Sequence, residues 1–224
     1  MLFRSSRLDA VVDYITSKQS KVGIDIHNGG YAFNELIGGP KLSNEAFADL
    51  WARLANHYKH NPNVLFMIMS EPSDQSAYDW VKTANLAIQT IRNIGATQPI
   101  VVPGSYFDKA LSFAVSDNAS KLLKIKDPLN NCLFEVHSYL DTYGSGSNVN
   151  EVMSPTIGAD RLVGVTKWAR KNNKKLFLGE FASGSDPKSL EALENILKYI
   201  QQNGDVWSYA TWWGCGGRWA NYDF

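Results

Sequence analysis

Two glutamates stand where a carboxyl group can do chemistry. Glu71 follows the apolar run at 64–69 and precedes Pro72, and Glu180 closes Leu176-Phe177-Leu178-Gly179. A carboxyl group beside a buried strand is partly desolvated, which favours its protonated form and suits it to donate a proton. Alone, a strand-end glutamate is more often the cap of the next helix. As a pair the two are informative, because hydrolysis of a glycosidic bond uses two carboxyl groups flanking that bond. One protonates the leaving oxygen and the other attacks the sugar or activates water; a retaining mechanism places them ~5–5.5 Å apart.

Other residues could serve the same site. His137 and Tyr139 are two apart on or just after one apolar run, so they project to the same side of a strand. A tyrosine hydroxyl or an imidazole near Glu180 would hold that carboxylate ionised and oriented, and a rim role for both is an equal alternative. His27-Asn28 and Ser70 also end apolar runs; such groups bind hydroxyl-bearing ligands or cap turns. Trp213 would form a floor for a sugar ring, with Trp212 turned the other way into a helix layer.

Competing chemistries find little footing. His57 and His60 lie three apart with no glutamate between them in a zincin pattern, and a solvated helix face is the simpler reading. There is no G-x-S-x-G elbow, phosphate loop or dinucleotide fingerprint. Gly144-Ser145-Gly146-Ser147 reads as a flexible loop. Cys132 begins one strand and Cys215 lies beyond the end of another, so the two are expected at opposite ends of the strands, out of disulfide reach. No metal and no cofactor are expected.

The elements that must position these groups alternate strand and helix. Apolar runs at 22–26, 64–69, 100–102, 132–136, 176–178 and 210–213 read as strands. Helical stripes lie between them: Leu8, Val11, Val12 and Ile15; Phe47, Leu50, Trp51, Leu54 and Tyr58; Val81, Ala84, Ile88 and Ile91; and Leu190, Leu193, Leu197 and Ile200. Gly95 reads as a C-terminal stop, and Asp186-Pro187 as an N-cap followed by proline at the first helical position. Continuous rather than alternating apolar strands indicate a parallel sheet covered on both faces. Reactive or polar groups at nearly every strand end favour a closed barrel over an open sheet, since a parallel barrel gathers all those ends on one rim. The expected fold class is therefore α/β, a TIM (β/α)8 barrel that is incomplete, with about six of eight strands present. One domain, 1–224, is expected. Two front strands and a final helix are expected to be absent from it, which would leave two open sheet edges unless another chain fills the gap.

Composition narrows the partners. Lys+Arg and Asp+Glu balance at 22 each, so neither nucleic acid nor an anionic membrane surface is expected as partner. No apolar run reaches the ~20 residues of a membrane span, and the first seven residues lack the features of a signal peptide. Ten Tyr, ten Phe and seven Trp suit either sugar stacking or, more commonly, an aromatic core.

The chain resembles glycoside hydrolase family 5, in particular its fungal-type endo-β-1,4-glucanases. The resemblance is carried by 12–18, Asp25-Ile26-His27-Asn28, Glu71-Pro72, Glu135-Val136-His137-Ser138-Tyr139-Leu140-Asp141, Gly179-Glu180-Phe181-Ala182 and the stretch from Asp205-Val206-Trp207 to Trp212-Trp213. It implies a TIM barrel hydrolysing β-1,4-glucan with retention, without metal or cofactor. Glu71 would be the acid/base and Glu180 the nucleophile, while His27, Asn28, Ser70, His137, Tyr139 and Trp213 would bind or orient a β-glucan polysaccharide or oligosaccharide. It further implies an extracellular enzyme; separately, a monomer is expected. Ser70 departs from the family's asparagine before the acid/base, a donor to the sugar 2-hydroxyl, and a serine falls short of that contact. The family's first two strands, with an arginine on the second, have no counterpart, and Gly216-Gly217-Arg218-Trp219 replaces a bulkier aromatic pair. A catalytically impaired sugar-binding relic, or a β-mannanase or β-1,3-glucanase, are the alternatives.

Overall fold

Helix periodicity in the sequence becomes helix in space with well-defined ends. The computed structural model describes residues 6–214. Helix α1 (Ser6–Ser17) leads into β1 (Val22–Asp25), the two-residue strands β2 (Tyr31–Ala32) and β3 (Glu35–Leu36), and α2 (Asn44–Tyr58). Next come β4 (Val64–Met67), α3 (Ala77–Asn93) and β5 (Ile100–Pro103). Two short helices, α4 (Ala110–Phe113) and α5 (Asn118–Lys121), precede β6 (Cys132–His137). Helix α6 (Ile157–Lys171), β7 (Lys175–Phe181), α7 (Pro187–Gln202) and β8 (Trp207–Trp212) complete the order.

The chain divides into two units, the first running to Ser105 with Lys124–Cys132 added, the second comprising Tyr106–Leu123 and the chain from Leu133 on. In the first, β1, β4 and β5 pair in parallel in that order. Helices α2 and α3 supply the core expected of them: Phe47, Trp51, Leu54 and Tyr58 on one, Val81, Ala84, Ile88 and Ile91 on the other, all buried. Ser43 caps α2 by accepting from the Ala46 N–H, and Gly95 ends α3 at φ +86°, its N–H donating to Arg92 O at 2.9 Å. The aromatic richness is largely core. Trp51 and Trp80 are fully buried, and each donates its indole N–H to a backbone carbonyl, of Ile68 and Pro103 respectively.

The stripe over α1 fares differently. Only Val12 is buried, whereas Val11 is 53% exposed and Leu8 and Ile15 are half-buried. The helix is tied to α2 by a polar link instead, with the Tyr58 hydroxyl donating to Asp9 at 2.6 Å and His57 Nε2 2.7 Å from the same carboxylate.

In the second unit β6, β7 and β8 pair in parallel, with register shifts in both pairings. Asp186 caps α7 as expected, accepting from the N–H groups of Lys188 and Ser189. The buried face of α7 is not the leucine stripe. Ser189, Ala192 and Ile196 are buried, while Leu190 and Leu197 are about half exposed. Close packing decides this: a Cβ on Gly158 of α6 would lie 2.3 Å from Ile196 Cδ1, so the small-residue side of α7 is the one that fits. Helix α6 carries no clean apolar stripe because Gly158, Arg161 and Thr166 share its buried face. Strand β8 begins earlier than expected, and beyond Trp207 its residues are exposed.

Candidate active site

In the first unit, the polar groups after β1 and β4 meet through their backbones. Ser70 N donates to Ile26 O at 3.0 Å, Gly29 N to Ser70 O at 3.1 Å, and Ser73 N to Gly29 O at 3.2 Å. Glu71 lies inside this clamp, half-buried, with φ +53°. A left-handed conformation in a non-glycine residue costs ~1–3 kcal/mol and persists only where the surroundings impose it, which occurs most often at functional sites. Ser70 is 2% exposed, and its hydroxyl has no hydrogen-bond partner among the described residues. His27 is exposed, its Nδ1 3.0 Å from Asp25 Oδ2. Asn28 caps the turn into β2, its side-chain amide donating to Tyr31 O at 2.6 Å.

The second unit holds a tighter cluster. Glu180 lies within β7 rather than beyond it and is 7% exposed. The Tyr139 hydroxyl donates to its Oε2 at 2.7 Å, and His137 Nδ1 is 3.5 Å from the same oxygen. A charge-assisted hydrogen bond and a facing imidazole both favour the ionised carboxylate. His137 closes β6, and its backbone N–H donates to Asp108 O at 2.8 Å. The register places Glu180 there: Leu178 pairs with Val136 and Glu180 with His137, so Gly179 is an extra residue on β7. Such a bulge re-aims the side chain that follows it.

Tyr139 is held by its own loop. Arg161 donates to the carbonyls of Tyr139, Asp141 and Thr142. Gly146, at φ +71°, lies against the Tyr139 ring, where a Cβ would come within 2.7 Å of Cδ1. Asp141 anchors the segment expected to be a flexible loop, accepting from the N–H groups of Ser145 and Gly146 and from the Ser145 hydroxyl. Burial pushes the Asp141 carboxyl up, and those donors outweigh it, leaving the group below the ordinary carboxylate value. Trp213 is half-buried, its N–H donating to Phe181 O at 3.1 Å. Trp212 is 37% exposed and packs edge-on against Phe181 at 5.6 Å. Cys215 and 216–219 lie outside the described residues, and with them the expectation about the cysteine pair.

Sequence reasoning passed over Glu135, Asp108 and Arg161 as site residues. Glu135 and Asp108 are buried beside His137, and the three offer polar atoms within 4.8 Å of one another. The signal for Glu135 was present: an acid inside an apolar run, two residues before a histidine. Nothing local marks Asp108 or Arg161, which reach their partners only through the fold.

Polar and titratable groups at the C-terminal ends of parallel strands lie where α/β barrels carry their active sites. Comparison with known proteins gives the family: a cellulase (glycosyl hydrolase family 5) model matches residues 4–216, and the chain belongs to that family. Endoglucanase 3 of Humicola insolens is 35% identical over 96% of this chain and 54% of its own length. A probable endo-beta-1,4-glucanase B of Neosartorya fischeri is 36% identical over 98% of this chain and 65% of its own. The chain thus spans between half and two thirds of the length of these curated relatives. The solved structure of XacCel5A in complex with cellopentaose matches with a TM-score of 0.95 at 36% identity, covering 100% of this chain and 74% of that one. The fold is accordingly an incomplete TIM barrel, with six parallel strands of this chain matching barrel strands.

Proposed function

We propose that this chain is the catalytic part of a retaining endo-β-1,4-glucanase, with 1–224 acting as one catalytic domain. Glu180 attacks the anomeric carbon while Glu71 protonates the departing glycosidic oxygen. The bond to the leaving sugar breaks as a covalent glycosyl–enzyme forms. Glu71, now a carboxylate, takes a proton from water, whose oxygen displaces Glu180. The observation that carries this reading is the pairing of a buried Glu180 with the Tyr139 hydroxyl at 2.7 Å, an arrangement that keeps a nucleophilic carboxylate ionised and aimed. Support comes from the family, from relatives named endoglucanases, and from the cellopentaose bound by XacCel5A.

The test is release of reducing ends from a soluble cellulose derivative by the purified chain. Glu71→Gln and Glu180→Gln are each expected to abolish it, and a folded chain releasing nothing would reject the proposal. One observation favours a second reading, a sugar-binding protein with impaired turnover. Ser70 replaces the family's asparagine and leaves a buried hydroxyl without a described partner. Oligosaccharide binding by calorimetry without turnover would select that reading.

A further inference from the structure

Glu135 has no part in the proposed reaction, yet its placement is unusual for a group without a task. Its side chain is 1% exposed, inside β6. The adjoining strand makes room for it: a Cβ on Gly179 would lie 1.8 Å from Glu135 Oε1. An apolar side chain would fill the same slot without the cost of burying a carboxylate. Oε1 of Glu135 is 3.3 Å from Nε2 of His137, whose other ring nitrogen faces Oε2 of Glu180 at 3.5 Å.

Both ring nitrogens of one imidazole therefore face carboxylate oxygens. Ionised carboxylates only accept hydrogen bonds, and a neutral imidazole has a single N–H. A neutral ring would aim a lone pair at one of the two oxygens. Among the described charged groups of this unit, those facing the ring are Glu135 on its own strand, Glu180 on β7 and Asp108 on the segment before α4. All are acidic and all are buried, so the field they create at the ring is weakly screened.

We propose that Glu135 is a positioning residue that holds His137 doubly protonated, as an imidazolium bridging Glu135 and Glu180. The imidazolium in turn keeps Glu180 charged and fixed in orientation. The link to turnover rests on the reading of Glu180 as nucleophile; the protonation state of His137 does not.

The experiment uses the full chain labelled with ¹⁵N-histidine. With only four histidines in the sequence, the His137 ring signals are assigned by their loss in His137→Asn. Ring-nitrogen shifts are followed by NMR from pH 5 to 9, in the wild type and in Glu135→Gln, with circular dichroism to verify folding. The wild type is expected to keep both His137 nitrogens protonated past the ordinary histidine midpoint of ~6.5. In Glu135→Gln the midpoint should fall by at least about one pH unit, a tenfold change in proton affinity. On cello-oligosaccharides the same variant should lose about tenfold in kcat with KM nearly unchanged, as for an interaction used in the transition state. A wild-type His137 that is neutral at pH 6 overturns the proposal, even if the variant does not fold. So does an unchanged midpoint in a folded Glu135→Gln. A chain that shows the shift but hydrolyses nothing keeps this inference and rejects the glucanase reading; hydrolysis with a neutral His137 does the reverse.

Discussion

Tyr139 is the residue on which the second unit's chemistry turns. Its hydroxyl donates to the Glu180 carboxylate at 2.7 Å, and Arg161, Gly146 and Asp141 all act to fix it. A hydrogen bond to a charged group contributes ~1.5–3 kcal/mol. Tyr139→Phe should therefore lower kcat by about 10- to 100-fold on a soluble cellulose derivative, while the thermal midpoint moves little. A midpoint falling with activity would assign Tyr139 to packing instead. Ser70 predicts the opposite kind of change. Its buried hydroxyl has no described partner, and the family resemblance places an asparagine there. Ser70→Asn should raise turnover by about tenfold, a lower figure than that for losing an oxyanion-hole donor. Lower activity in that variant would show that the pocket has closed around serine.

At the scale of elements, the devices that end and join helices are the most independent of the site. Asp186 holds the first turn of α7 through two backbone N–H groups and the Ser189 hydroxyl. Replacing it with alanine should cost about 1 kcal/mol of unfolding free energy in urea. Gly158 sits where a methyl group would strike Ile196, so Gly158→Ala should cost ~1–3 kcal/mol through overpacking between α6 and α7. Neither change should affect His137 protonation. The ends of α3 and α7 were legible in the sequence, because Gly95 and Asp186-Pro187 act through nearest neighbours along the chain. The buried side of α7 was not. Leucines mark a helix as amphipathic, yet which side is covered depends on how closely a partner approaches, and here Gly158 decides it.

For the whole molecule, acid stability offers a test that needs no substrate. Burial pushes the Asp127 carboxyl up, but the Arg92 guanidinium, bidentate at 2.8 and 2.9 Å, and the N–H groups of Asn131 and Leu129 lower it from 3.8 to about 2. A lowered folded-state value means stability that is complete above pH ~4 and is lost as pH falls through about 2, amounting to about 2 kcal/mol. Urea midpoints between pH 5 and 2 should show that loss, and Asp127→Asn should remove this portion of the slope. From sequence alone came the strand–helix alternation, the parallel class, the paired glutamates and the tyrosine two residues after a histidine, because each is written in local pattern. The fold alone decided that β7 bulges at Gly179, that Glu180 thereby meets His137 and Tyr139, and that Glu135 lies buried behind them. Register and burial are properties of strands in contact, and no single stretch of chain contains them.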